Sequence, residues 1–296
     1  MERVQLLARP ELRQPTLVAG FAGWPNAADV ATHTVSHLVE SLKATPLGSL
    51  SVGDCYDLTS TRPLARIQDG LIEEVTLPSN DLYYWRDDVG TSDLLLLSGV
   101  EPGLRWDDYI GALIAAAEQF GARRLVTLGG LYDRVPHTRP PRISAVVSRA
   151  ELKDEVARLG CSFIDYTGPS SMHTTLLLAA RQHGLDAYSL WAHAPHYAHM
   201  AWNPRVTYGL LHVLCGLLNV RPDLESVRSA ATYLDEMMEK LSAENSDLKA
   251  HIAELEEEYA DGQTVTEPLT PLSDSIIRDI EELLRGRPDE PDNRTL

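Results

Sequence analysis

The stretch Thr16 to Leu42, TLVAGFAGWPNAADVATHTVSHLVESL, most constrains what this chain can fold into. Thr16-Leu-Val-Ala-Gly-Phe-Ala-Gly23 is short, apolar and β-branched at its start, the pattern of a strand buried on both faces. Trp24-Pro25-Asn26 breaks it. From Ala27 the apolar positions recur at helical spacing: Ala27, Val30, Ala31, Thr34, Val35, Leu38, Val39 and Leu42. Asn26 is placed to cap that helix, because its side-chain oxygen can accept an orphan backbone N–H. A buried strand thus enters a glycine-containing turn that opens a helix. In an open parallel sheet such a turn lies at the carboxyl edge of the strands, where ligands bind.

The same alternation continues. Leu50–Leu58 reads as a strand, and so do Leu82–Arg86, Asp93–Val100, Arg124–Leu128, Ile143–Val147 and Ala187–Ala192. Helices are expected over 106–120, 151–159, 172–183 and 205–219, and Val4–Leu7 as an edge strand. Asp69-Gly70 between the apolar runs 64–67 and 71–77 is a hairpin signal. Strands alternating with helices from residue 16 to 219 predict a three-layer α/β/α domain over residues 1–221 with a largely parallel sheet.

The chain has 296 residues and a net charge of −17. Residues 223–296 hold 20 Asp/Glu and 7 Lys/Arg, so the tail carries −13 and the first 222 residues only −4. An acidic chain of this kind repels nucleic acid and anionic membranes. Cys55, Cys161 and Cys215 are far apart and form no CxxC pair, which fits free thiols in a reducing cytoplasm. The start lacks the basic-then-apolar pattern of a secretory signal. Val206–Val220, the most apolar stretch, is too short to span a bilayer and reads as a core helix.

After Pro222 the texture changes. A 3-4 repeat runs through Leu224, Val227, Ala231, Leu234, Met238, Leu241, Asn245, Leu248, Ile252, Leu255 and Tyr259. This predicts one long heptad helix, with Asn245 fixing register at an a position. With a shorter helix over 273–284 it makes a helical extension across 222–287, and residues 288–296 are expected to be a disordered tail. The stripe must be buried somewhere. Like charge on the tails disfavours their parallel association. The expectation is a homo-oligomer whose interface includes Leu234, Met238, Leu241, Leu248, Ile252 and Leu255. Packing of the stripe on the chain's own body or on 273–284 is the alternative.

No P-loop, GxGxxG, GxSxG or HExxH pattern occurs. Small or glycine-rich turns close several strands, at 20–24, 98–99, 129–130 and 168–171, and are expected to lie together at one sheet edge. Gly168-Pro169-Ser170-Ser171 opens a helix whose free N–H groups could hold an anion, or which is plainly capped. Glu101 follows a buried strand, either as an acid or base or as a cap for the helix near Trp106. A Ser171–His196 pair is conceivable, without an elbow motif to support it. His193, His196 and His199, with His173, have spacing that could supply metal ligands. Pro195 denies them a regular helix, however, and no carboxylate or thiolate completes a set, so no metal is expected. His33 and His37 share a helix face without a carboxylate beside them.

Together these residues resemble the PAC2, or proteasome assembly chaperone, family over residues 4–220. The resemblance is carried by Gly20-Phe-Ala-Gly-Trp24 with Asn26-Ala27, Ser98-Gly-Val-Glu-Pro102 with Trp106, Leu128-Gly-Gly130, and Pro136-His-Thr-Arg-Pro140. Tyr166-Thr-Gly-Pro169, Leu190-Trp-Ala192, Pro195-His-Tyr197 and Asn203-Pro204 continue it. The helical extension resembles that of actinobacterial-type members. The chain departs from partners of the proteasome at its end, Arg294-Thr295-Leu296, where those often carry a hydrophobic-Tyr-any tripeptide. The resemblance implies a fold similar to nucleoside phosphorylases and peptidyl hydrolases, and binding to proteasome subunits.

The reading is a cytoplasmic, non-enzymatic interaction or assembly-chaperone-like protein, with itself and proteasome subunits as partners. It has no catalytic residues, cofactor, metal, nucleic acid or membrane. The alternative is an enzyme or small-ligand binder of phosphorylase/hydrolase-like type using the carboxyl edge of the sheet. Its candidate site residues are Gly23, Trp24, Asn26, Glu101, Gly129, Gly130, Ser170, Ser171 and His196.

Overall fold

The computed structural model describes residues 3–260 apart from 89, 91 and 92. The first half of the chain forms β1 (Val4–Leu6), β2 (Thr16–Ala22), α1 (Val30–Ser41), β3 (Thr45–Leu50), β4 (Leu64–Gln68), β5 (Leu71–Thr76), β6 (Asp81–Trp85), β7 (Leu94–Val100), α2 (Trp106–Gln119) and β8 (Arg124–Asp133). Then come β9 (Ile143–Val147), α3 (Lys153–Ala157), α4 (Met172–Gln182), β10 (Asp186–Pro195), α5 (Pro204–Leu218), α6 (Glu225–Glu244) and α7 (Ser246–Ala260).

Eight strands make one sheet in the order β1-β3-β6-β7-β2-β8-β10-β9. The inner four, β7, β2, β8 and β10, are parallel, and every other pairing in the sheet is antiparallel. The sheet is therefore mixed, with its parallel part confined to the centre. Side chains of β2 alternate between two cores. Leu17, Ala19 and Phe21 join Tyr109, Leu113, Met172 and Leu176 of α2 and α4 on one face. Val18 joins Val30, Val35, Leu210 and Leu214 of α1 and α5 on the other. A strand covered on both sides needs apolar residues at every position, which is why it reads as a continuous run.

Several expected boundaries shift. The strand placed at 50–58 lies earlier, at Thr45–Leu50, and Gly53–Cys55 is a single 3-10 turn. The strand expected to stop at Leu128 runs on through Gly129-Gly130 to Asp133, and its neighbour β10 runs to Pro195. The helix expected over 151–159 is regular only at Lys153–Ala157.

The larger correction concerns the heptad stripe. It forms two helices, not one, because the chain leaves helical geometry at Asn245 (φ −121°, ψ 106°). Its side-chain oxygen accepts the N–H groups of Asp247 and Leu248 at 3.1 and 3.0 Å, and so caps the second helix. Leu234, Met238, Leu241, Leu248, Ile252 and Leu255 all face inward and form a third core with Tyr197 and Ala198. Each is at most 6 % exposed within the single chain. Burial against its own body, weighed above as the alternative, accounts for the stripe in this conformation. The helix expected over 273–284 and the tail 288–296 lie outside the described residues.

Salt links hold α7 to the body. Arg134, on the turn after β8, pairs with Glu258 at 2.6 Å and Glu254 at 3.3 Å. The Tyr259 hydroxyl donates to the Pro140 carbonyl at 3.0 Å. By contrast, among the described strands β4 and β5 pair only with each other. Asp69 and Gly70 take φ of 49° and 78°, the left-handed pair that a two-residue hairpin turn requires. Every residue of both strands is exposed. No helix of the described residues is long and apolar enough to cross a membrane.

Candidate functional site

Parallel strands β2 and β8 lie side by side, yet their connections leave in opposite directions. The segment after β2 runs through α1 to β3 on one side, and the segment after β8 runs to β9 on the other. Such a switch point opens a crevice at the carboxyl edge of the sheet. Here it is widened because β2 pairs with β8 only as far as Gly20–Leu128, while β8 and β10 stay paired to Asp133–Pro195. The result is an open groove of about 580 Å³. Gly23, Trp24, Asn26 and Asp29 line one side, Gly130, Tyr132 and Trp191 the other, with Met200 also in the lining.

Two glycines allow β8 to form this wall. A Cβ on Gly129 would lie 2.6 Å from the Trp191 ring, and one on Gly130 would lie 2.7 Å from the Ala27 carbonyl oxygen. The Gly130 N–H donates to the Pro25 carbonyl at 2.7 Å and stitches the loop to the strand. The glycine pair thus marks close approach inside a strand, not its end.

The loop 23–29 is held by Asn26. Its side-chain oxygen accepts the Ala31 and Thr32 N–H groups at 2.8 and 3.3 Å. Its amide donates to the Asp29 carboxylate at 3.0 Å and to the Thr32 hydroxyl at 2.9 Å. Asn26 therefore does cap the first helix, but from a distance, because the helix begins at Val30 rather than Ala27. Between them Ala28 and Asp29 both take left-handed conformations, with φ of 51° and 48°. Non-glycine residues pay for that geometry, and two in succession are over-determined by their surroundings. Partial burial pushes the Asp29 pKa up. The Trp24 indole stands 66 % exposed at the groove.

The glycine-rich turns do gather at this edge. Gly23 approaches Glu101, where a Cβ would meet the Glu101 Cβ at 3.4 Å, and the Glu101 carboxylate accepts the Met172 N–H at 2.8 Å. The Ser171 hydroxyl accepts the His173 N–H at 3.3 Å. The first turn of α4 is therefore capped twice from within the chain, the plainly capped start weighed above, and the Glu101 carboxylate takes the N–H group that could have held an anion. Glu101 caps α4 and not the helix at Trp106. Burial raises its pKa, opposed by the bond from Met172. Ser170 is exposed beside this turn, and its hydroxyl donates to the Ser171 carbonyl at 3.0 Å.

His196 lies apart from this cluster. Its Nδ1 is 3.2 Å from the Asp133 carbonyl oxygen and its Nε2 is 3.3 Å from Nε2 of His251 on α7. It belongs to the seam between body and extension, and Ser171 and His196 have separate partners. His193 Nδ1 donates to the Asp133 carboxylate at 2.7 Å and its Nε2 lies 2.8 Å from the Ser144 hydroxyl, while the His199 and Tyr132 rings meet at a tilt with centroids 4.2 Å apart. His33 stacks on Trp202, and His37 lies 2.7 Å from the Asp223 carbonyl oxygen. The histidines serve different contacts, and among the described residues no group of three metal-ligating side chains converges. Sequence reading missed Asp29, Tyr132 and Trp191. Their convergence depends on a left-handed turn and on the overhang of β8 and β10, neither of which has a local signature.

The chain thus combines a mixed α/β sheet with helices on both faces, a two-helix extension packed on the body and an open aromatic groove at the switch point. The chain belongs to the PAC2 family, whose model matches residues 20–242. A PAC2 family protein from Streptomyces avermitilis is 32 % identical over 80 % of this chain and 99 % of its own, with a TM-score of 0.72. A Mycobacterium tuberculosis proteasome-assembly chaperone homologue is 29 % identical over 80 % of this chain and 99 % of its own, with a TM-score of 0.73. A second M. tuberculosis protein, described as of unknown function, is 27 % identical over 88 % of this chain and 89 % of its own, with a TM-score of 0.79. No curated protein matches the chain.

Proposed function

We propose that this chain is a non-enzymatic, assembly-chaperone-like protein that acts in the cytoplasm, binds proteasome subunits and associates with itself. Family membership supports the class, and the M. tuberculosis chaperone homologue supports the client. The observation that carries a protein-binding role is the β4–β5 hairpin. Ala65, Ile67, Ile72 and Val75 pair across it on one face, with Leu77 just beyond. Ile67, Ile72, Val75 and Leu77 are each more than half exposed. Two strands alone are marginal in water, and an uncovered apolar face of this kind marks a contact surface. Arg66 pairs with Glu73 at 2.8 Å and with Glu74 at 3.7 Å, so the hairpin's one cation is held by its own acids.

Co-elution of the purified chain with proteasome subunits from its native host tests the reading. The wild type is expected to co-elute at micromolar concentration, and the Ile67→Lys, Ile72→Lys double variant to lose binding at least about tenfold, as expected when anchor residues are replaced. Absence of any complex with the wild type refutes the client. An undiminished complex with the double variant refutes the hairpin as the contact.

A further inference from the structure

The groove at the switch point is built for one kind of group. Its aromatic walls are Trp24, Tyr132 and Trp191, and Met200 adds a polarisable apolar surface. Asp29 is the one charged side chain among its described lining residues. The Asn26 amide donates to its carboxylate at 3.0 Å. Aromatic faces carry negative electrostatic potential and attract cations. A carboxylate beside them adds a full negative charge, and the chain as a whole carries −17.

The alternatives fit less well. An anion finds no basic side chain in the lining, and the nearby first turn of α4 is already capped by Glu101 and Ser171. A metal ion finds a single carboxylate where it needs several ligands. A purely apolar guest gives no reason for two successive left-handed residues, Ala28 and Asp29, or for the two bonds by which Asn26 fixes the turn to α1. That conformation sets a carboxylate into an aromatic groove, and strained backbone of this kind accumulates at functional positions.

We propose that the groove binds an alkylammonium or guanidinium group, the chemistry of a lysine or arginine side chain. The cation sits against Asp29, and its alkyl stem lies along Trp24, Trp191 and Met200, as long basic side chains do on apolar surface. The site stands independently of the chaperone reading, since neither its geometry nor its test involves the hairpin or a proteasome subunit.

The test follows the indole N–H signals of the full-length protein by NMR. The probes are n-butylammonium, methylguanidinium, a capped pentapeptide with a central lysine, and the same peptide with norleucine in its place. Saturable shifts of the Trp24 and Trp191 signals at millimolar cation are expected, with the Trp106 signal unmoved. Asp29→Asn keeps an oxygen for the Asn26 amide and is expected to weaken cation binding about fivefold or more. Trp24→Ala, at an exposed position, is expected to weaken it as well. A lysine peptide that binds tighter than n-butylammonium assigns the group to a protein partner, and equal affinity assigns it to a free amine. Both results support the site. Equal shifts with the norleucine peptide, undiminished binding by Asp29→Asn, or no saturable shift with any cation overturns it.

Discussion

His173 brings two ring nitrogens into a fully buried position on α4, and neither has a hydrogen-bond partner among the described residues. Its neighbours are rings, Phe21 at 5.5 Å and Trp191 at 5.2 Å between centroids. Burial lowers its pKa from 6.5 to about 3, so it is neutral in the folded protein at ordinary pH. A depressed histidine pKa means that the unfolded chain binds the proton first. Stability is then intact above pH 6.5 and is lost as pH falls toward 3. At pH 5 the penalty is about 2 kcal/mol, from 1.5 pH units at 1.36 kcal/mol each. His173→Phe keeps the ring contacts and removes the proton site. Urea unfolding at pH 7 and pH 5 is expected to show the variant losing about 2 kcal/mol less than the wild type on acidification. Parallel losses in both would show that His173 does not titrate in this way. Much at this scale was legible. Ser171 as a cap and Asn26 as the organiser of the first turn follow from local residue chemistry. Glu101 as the second cap of α4 did not, because its partner Met172 is 71 residues away and only the fold brings them together.

Among the elements, the extension shows what periodicity can and cannot specify. Apolar residues at 3-4 spacing fix which face of a helix is buried, and that face is buried here at Leu234, Met238, Leu241, Leu248, Ile252 and Leu255. They do not fix whether the helix is continuous, because two helices folded about a short turn can present the same stripe inward. The deciding residue was the polar one. Asn245 at a stripe position is consistent with a register-setting a position, and equally with a cap that ends one helix and starts the next. The structure uses it as the cap. Asn245→Ala is expected to cost about 1 kcal/mol of stability. The loss should be felt first in α7, as faster hydrogen exchange over residues 246–260 while β2 and β8 stay protected. Uniform exchange across α6 and α7 in the variant and the wild type would mean that the cap contributes nothing. The hairpin β4–β5 was legible for the converse reason. A two-residue hairpin turn demands left-handed geometry at both central residues, and Asp69-Gly70 is a pair that tolerates it. The overhang of β8 and β10 was hidden because Gly129-Gly130 looks like a strand end unless Trp191 is known to lie against it.

Across the whole molecule, apolar surface is disposed in two ways that make opposite demands. The stripe on α6 and α7 is spent inside the chain, on Tyr197, Ala198 and the facing helix. The hairpin face is left in water. An acidic tail also favours this division. Residues 223–296 carry −13, and Arg134 from the near-neutral body meets Glu254 and Glu258 of α7, whereas a second tail would bring only like charge. Self-association through the stripe would first have to open this seam, while association through the hairpin disturbs nothing already packed. Two double variants separate these roles. Leu241→Asp with Leu248→Asp puts carboxylates into the third core and is expected to cost about 3 kcal/mol or more, with early loss of helix signal on heating. Ile67→Lys with Ile72→Lys changes exposed positions and is expected to leave stability within about 0.5 kcal/mol. Light scattering then locates any self-contact. A wild type heavier than one chain should be reduced to monomer by the hairpin variant at unchanged melting temperature. If instead the hairpin variant keeps its full mass and the seam variant becomes monomeric while its α/β body stays folded, the seam must open between chains, and the assignment of the hairpin as the contact surface fails.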